Sequence, residues 1–181
     1  MTAAADTVDT APISPGAIGT RARTVRPIAG AGVLLGAGLG AFVDGILFHQ
    51  VLQTHSMLSA RRPPDTLEAV EINMVYDGLF HALALLLVLA GVIALHGAGR
   101  RRDASWSGRA LLGGGLLGWG LFNLVEGTLN HHVLGLHHVV ERLGPSVYDV
   151  LFLAFGAALA GVGGWMLVRE ERRLARGGVP A

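Results

Sequence analysis

The chain has 181 residues, 51% hydrophobic and only 15% charged, with a mean hydropathy of +0.51; soluble domains carry about 25% charged residues, so this composition points to a membrane protein. A net charge of +1 excludes general attraction to nucleic acid, and no such partner is expected. The absence of cysteine excludes disulfides, thiolate zinc sites, Cys-ligated iron–sulfur clusters and c-type haem attachment.

Residues 1–26 form a small, polar, Pro-containing N-terminal tail, expected to be disordered over its first twenty or so positions. The tail lacks the apolar stretch of a cleaved signal peptide, so the first apolar segment, 28–52, reads as an uncleaved anchor. That segment repeats Gly32, Gly36 and Gly40 at four-residue spacing, the pattern that lets helix backbones approach closely in lipid. It also carries Asp44, His49 and Gln50, and a charge at this depth costs several kcal/mol unless it faces away from lipid.

A polar loop, 53–69, holds His55, Arg61 and Arg62, with Asp65 or Thr66 as the N-cap of the next helix. The second apolar segment, 70–96, carries Asn73, Asp77 and His81 in its first turns. The third, 109–133, has Gly114 and Gly118 early and Asn123, Glu126, Asn130, His131 and His132 late. Loop residues His137 and His138 follow, and the fourth segment, 147–168, opens with Tyr148 and Asp149 and continues through Gly156, Ala160 and Gly164. Residues 169–181 are a basic tail. Each apolar segment is near the ~20 residues that cross a bilayer as a helix. The fold class is therefore all-α, an integral membrane four-helix bundle over 27–168, in contact with lipid and with a homo-oligomer as the alternative use of the small-residue stripes.

Arginine supplies the orientation, since all 14 basic residues are Arg. Arg21, Arg23, Arg26, Arg100, Arg101, Arg102, Arg109, Arg169, Arg172, Arg173 and Arg176 fall on one side, against Arg61, Arg62 and Arg142 on the other. The positive-inside rule then places both termini in the cytoplasm of a multi-pass protein of the bacterial cytoplasmic (inner) membrane.

Three segments share one phrase: an acid, then Gly, an apolar gap and His. It reads Asp44-Gly45 to His49, Asp77-Gly78 to His81, and Glu126-Gly127 to His131. Helix two runs opposite to one and three, so the phrase is a recurring site grammar and not a simple tandem repeat. Topology brings all three to one layer in the outer half of the bundle. Asp77 and His81 share a helix face, as do Asn123, Glu126 and Asn130. Asp44 with His49, and Glu126 with His131, are five apart and diverge on a regular α-helix. Either the helix distorts, with Gly45 and Gly127 as the points where it can, or each pair straddles two neighbouring helix interfaces.

Imidazoles beside carboxylates make a cation site for zinc, iron, copper or manganese, and inward His and acids from several helices are the layout of di-metal bundles. The candidate ligands are Asp44, His49, Asp77, His81, Glu126, His131 and His132, with His55, Asn73, Asn123, Asn130, His137, His138 and Asp149 as accessory groups that orient them. The expected function is a metal-binding membrane protein with a mono- or dinuclear site open to the extracytoplasmic side. It acts either as a metal-dependent oxidoreductase or hydrolase, or as a metal-handling factor. The alternatives are b-type haem between two facing histidines and proton or ion transport, the latter opposed by inner halves with almost no ionisable groups.

The stretches GLGAFVDGILFHQVLQTHSMLS, NMVYDGLFHA and GLFNLVEGTLNHHVLGLHHVVE resemble the signature segments of a bacterial family of predicted four-helix membrane proteins, domain of unknown function 2243. The resemblance spans residues 30–168. That family usually shows WHHM where this chain has Thr54-His55-Ser56-Met57, so one histidine of that pair is absent. The resemblance implies a compact integral membrane protein without an assigned reaction. It also implies the genomic company of copper-handling assembly factors for cytochrome oxidase, which makes the respiratory oxidase or its assembly factors expected partners.

Overall fold

A computed structural model describes residues 23–177; the expected disorder of residues 1–20 falls outside them. Four helices account for most of the chain: α1 Arg26–Asp44, α2 Leu67–Gly99, α3 Gly108–Glu126 and α4 Val147–Ala175. Each begins where the sequence supplies a start signal. Pro27 stands in the first turn of α1. The Thr66 hydroxyl accepts from Ala69 N at 3.2 Å to cap α2, and Ser107 does the same for Ala110 N at 3.1 Å in α3. Asp149 reaches back to accept from Ser146 N at 2.9 Å in α4.

By length and composition, the spans Arg26–Val51, Leu67–Gly99 and Val147–Ala175 can cross a membrane. The Gly-rich third segment is less apolar, but it occupies the middle of the structure with α1. These two helices cross backbone to backbone. A Cβ on Gly32 would meet Leu111 O and Gly115 N, and one on Gly36 would meet the Gly115 carbonyl. Reciprocally, a Cβ on Gly114 would strike Ala29 O, and one on Gly118 would strike Val33 O. The expected small-residue seam is therefore the α1–α3 crossing. In α4, Gly156 and Ala160 face α3 at Gly120 as expected, and the stripe continues at Gly163, against Leu117 and Gly113, in place of Gly164, which has nothing within 4 Å. α2 packs on α1 and α4 on α3. At the end opposite Asp44 and Glu126, Val25, Ile28, Ala98 and Ala110 form an apolar cluster backed by Leu95, Leu111, Leu167 and Leu174.

Both central helices end alike. α1 runs 19 residues and passes into a 7-residue π-helical stretch, Gly45–Val51. α3 also runs 19 residues and passes into a 7-residue π-helical stretch, Gly127–Val133. Leu52 N bonds Leu47 O at 2.8 Å, and Leu134 N bonds Leu129 O at 2.7 Å. The chain then turns through a left-handed residue in each case, Gln53 at φ 50° and Gly135 at φ 53°. A non-glycine residue pays about 1–2 kcal/mol in that conformation, and the equivalent position already holds glycine. Gln53→Gly is expected to leave stability unchanged or raise it, and Gly135→Val to lower it by about 1–2 kcal/mol, as read by thermal unfolding in detergent.

Candidate metal centre

The π-helical stretches solve the five-residue spacing. An i→i+5 pattern adds a residue per turn and returns positions five apart to one face, so His49 Nε2 comes within 3.5 Å of Asp44 Oδ2 and His131 Nε2 within 3.3 Å of Glu126 Oε1. Gly45 and Gly127 do mark the onset of the distortion. They also leave room for a neighbouring helix: a Cβ on Gly45 would meet His81 Nε2 at 2.7 Å, and one on Gly127 would meet Leu153 Cδ2 at 2.9 Å.

Two loop histidines complete the layer. His55 and His137 stack with ring centroids 4.5 Å apart and 3° between planes. His49 lies 4.5 Å edge-on to His55, and His131 lies 4.9 Å edge-on to His137. His49, His55, His131, His137, Asp44, Asp77, Glu126 and Asp149 are each no more than 6% exposed. Loop segments roof the layer and are tied to one another: Ala60 N bonds Leu136 O at 3.0 Å, Glu141 N bonds Thr54 O at 3.0 Å, and Ser59 donates to Glu141 at 3.0 Å. The layer is thus closed on the side where the sequence suggested an opening.

Every one of the four imidazoles has its Nδ1 beside an acceptor. His49 Nδ1 is 2.8 Å from Asp77 Oδ1, and His131 Nδ1 is 3.1 Å from Asp149 Oδ1, out of line for a full hydrogen bond. His55 Nδ1 lies 3.0 Å from Val139 O and His137 Nδ1 3.0 Å from Met57 O. Asp77 also accepts from Met57 N at 2.8 Å, as Asp149 does from Val139 N at 3.0 Å. With Nδ1–H given to these acceptors, His49 and His55 turn an Nε2 lone pair inward. His49 Nε2 and His55 Nε2 are buried without a hydrogen-bond partner, as are Glu126 Oε2 and Asn123 Oδ1. His55, in the loop, is held well below the ordinary imidazole range, by burial first and by neighbouring His137 and His49 next, so it stays neutral.

Two sets of ligand atoms lie within 4.8 Å of one another: His49, His55 and His137, and Glu126, His131 and His137. Of the candidate ligands read from the sequence, Asp44, His49, Glu126 and His131 belong to this layer. Asp77 stands one step out, orienting His49. His81 turns its Nδ1 to its own helix at Asp77 O, 2.7 Å away, and exposed His132 does the same at Gly127 O, 2.8 Å. Neither is among the convergent nitrogens.

Among the accessory residues, His55 and His137 are central and Asp149 matches Asp77 in position. Asn73 pins the roof, donating to Arg62 O at 2.8 Å and accepting from Leu58 N at 3.0 Å. Asn130 donates to Glu126 at 3.4 Å, Asn123 lies one turn below Glu126, and His138 Nδ1 is 3.6 Å from Asp149.

These paired contacts expose an internal duplication: α1 with its loop and α2 repeats as α3 with its loop and α4. VDGILFHQVLQTH at 43–55 aligns without a gap on VEGTLNHHVLGLH at 125–137, and VYDGLF at 75–80 on VYDVLF at 147–152. Asp44 corresponds to Glu126, His49 to His131, His55 to His137 and Asp77 to Asp149. Phe80 packs on His49 at 5.5 Å as Phe152 does on His131 at 5.4 Å. The three-fold acid–Gly–His grammar read from the sequence is thus replaced by a two-fold repeat, in which Asp77 pairs with Asp149 and His81 has only Leu153 opposite.

The sequence profile of a family described as predicted membrane protein, domain of unknown function 2243, matches residues 31–171. The chain belongs to that family. No curated protein and no solved structure matches it significantly. The matched region contains both repeats up to the end of the apolar part of α4, and with them every residue of the histidine–carboxylate layer.

Proposed function

We propose that the chain is a multi-pass protein of the bacterial cytoplasmic membrane, termini inside, whose histidine–carboxylate layer holds a transition metal in the extracytoplasmic half. One observation carries this reading: four buried imidazoles lie together, three of them (His49, His55 and His137) with Nδ1 hydrogen-bonded to a fixed acceptor, and the Nε2 atoms of His49, His131 and His137 lie within 3.5 Å of Asp44 or Glu126. Such a donor set of nitrogen and carboxylate oxygen suits zinc, iron, copper or manganese. Asp77 and Asp149 fit the role of carboxylates that fix the tautomer and aim of a metal-binding imidazole.

The roof and the bonds crossing between repeats favour a resident centre over one that passes its ion on. Held by these residues, such an ion would supply activation of water, or of dioxygen if it is redox-active, toward a small or lipid-soluble substrate. Haem is disfavoured because the four rings pack 4.5–4.9 Å from their neighbours, which leaves no slot for a macrocycle between them.

Metal analysis of protein purified in mild detergent tests the proposal. Wild type and His81→Ala are expected to hold the same metal content, whereas Asp77→Ala should lose about 10–100-fold in affinity. A wild type without stoichiometric metal, both as purified and after reloading, would falsify the proposal. A Soret band in its visible spectrum would replace the reading with haem.

A further inference from the structure

We infer that the layer holds two divalent cations, one for each repeat: Asp44, His49 and His55 hold one, and Glu126, His131 and His137 the other. The inference rests on the metal-binding reading above and adds how many ions there are and how the repeats divide them.

Charge is the first argument. Asp44, Asp77, Glu126 and Asp149 are all buried, and among the described residues the ion-pair partners of these four acids are histidines only. Four buried carboxylates need four compensating positive charges close at hand. Two divalent cations supply them.

The second argument lies at the nitrogens. His137 has Met57 O at 3.0 Å from Nδ1 and Glu126 Oε1 at 2.9 Å from Nε2. His131 and His49 also have a carboxylate oxygen within 3.5 Å of each nitrogen, although His131 Nδ1 and His49 Nε2 make no hydrogen bond. A neutral His137 cannot donate to both of its acceptors, so a cation, whether proton or metal, lies between its Nε2 and Glu126. His55 tells the two apart. Its Nε2 is buried with no acceptor opposite, and a proton there would find nothing to bond, whereas a metal ion uses that lone pair. The separations between Nε2 and the acids, 2.9, 3.3 and 3.5 Å, also bracket the roughly 3.3 Å edge of a tetrahedron with bonds of about 2.0 Å.

The duplication assigns the ligands. The two convergent sets overlap at His137, which has one Nε2 to give. His137 occupies in the second repeat the place of His55 in the first, so each repeat brings one acid and two imidazoles of its own. The bonds from His55 to Val139 O and from His137 to Met57 O cross between repeats and hold the two half-sites together.

The test counts ions. Protein stripped with chelator and reloaded with zinc or with manganese(II), in separate experiments, is analysed for metal per chain by mass spectrometry. The half-site variants D44N/H49Q and E126Q/H131Q are compared with wild type, each checked for folding by size exclusion in detergent. Two ions in wild type and one in each variant are expected. One ion in wild type overturns the inference and leaves the metal-binding reading standing, as a single centre shared by both repeats. Two in wild type and none in either variant overturns the division by repeat. No ion in wild type overturns both readings. Should a variant fail to fold, the wild-type count alone decides between one ion and two.

Discussion

His137→Ala is expected to weaken zinc binding by more than the 10–100-fold that loss of an outer orienting partner costs, while His132→Ala leaves it unchanged. The two residues lie in the same nine-residue stretch, NHHVLGLHH, yet their surroundings differ completely. His137 is fully buried, belongs to both convergent ligand sets, and lies 2.9 Å from Glu126 and 3.0 Å from Met57 O. His132 is exposed and turned to its own helix carbonyl. Removing His137 also takes away the hydrogen bond to the partly buried Met57 carbonyl, at a cost of about 1–3 kcal/mol to the fold. Chelator competition measures affinity and thermal unfolding of the metal-free protein measures that second cost, so the two effects separate. Equal affinities for the two variants would remove His137 from the ligand set.

Gly36→Ala and Gly118→Ala are expected to destabilise the protein by about 1–3 kcal/mol each, although glycine to alanine within a helix ordinarily gains close to 1 kcal/mol. The sign reverses because the new methyl would meet main chain: Gly115 C at 2.5 Å and Cα at 2.6 Å from Gly36, and Val33 C at 2.7 Å and Cα at 2.8 Å from Gly118. A backbone locked in a helix cannot rotate aside as a side chain does, so α1 and α3 must part. Their far ends carry Asp44 and Glu126, and metal affinity should fall together with stability. Gly30→Ala and Gly164→Ala are the controls, with nothing within 4 Å of either added methyl, and should be neutral or stabilising by up to about 1 kcal/mol. Denaturant titration in mixed micelles gives the stabilities. Equal effects at Gly36 and Gly30 would show that close approach of the backbones is not what holds the pair.

Much of the site could be read from the sequence because charge in an oily helix is costly enough to be informative. Asp44, His49, Glu126 and His131 stand out in segments with few other ionisable groups, and Gly45 and Gly127 mark where the helix changes pitch. His55 and His137 carry no such signal. A histidine in a polar loop is unremarkable until the loop folds back over the bundle. Only the matched spacing of VDGILFHQVLQTH and VEGTLNHHVLGLH hints that they correspond. His81 is the opposite case: its four-residue spacing from Asp77 coincides with a bond to its own helix backbone.

By itself the sequence determined the helical segments, their apolar character, the glycine seam of the central pair and the gathering of polar residues at one end of the helices. Those properties depend on local composition and on the length needed to cross a membrane. Tertiary structure alone decided which nitrogen of each imidazole faces inward, which acids orient and which converge, and that the loops close over the layer. These features depend on contacts between residues such as His137 and Met57, or Ser59 and Glu141, that are some eighty positions apart in the chain. No local pattern records such a contact; it exists only once α1 and α3 have crossed and brought the two repeats together.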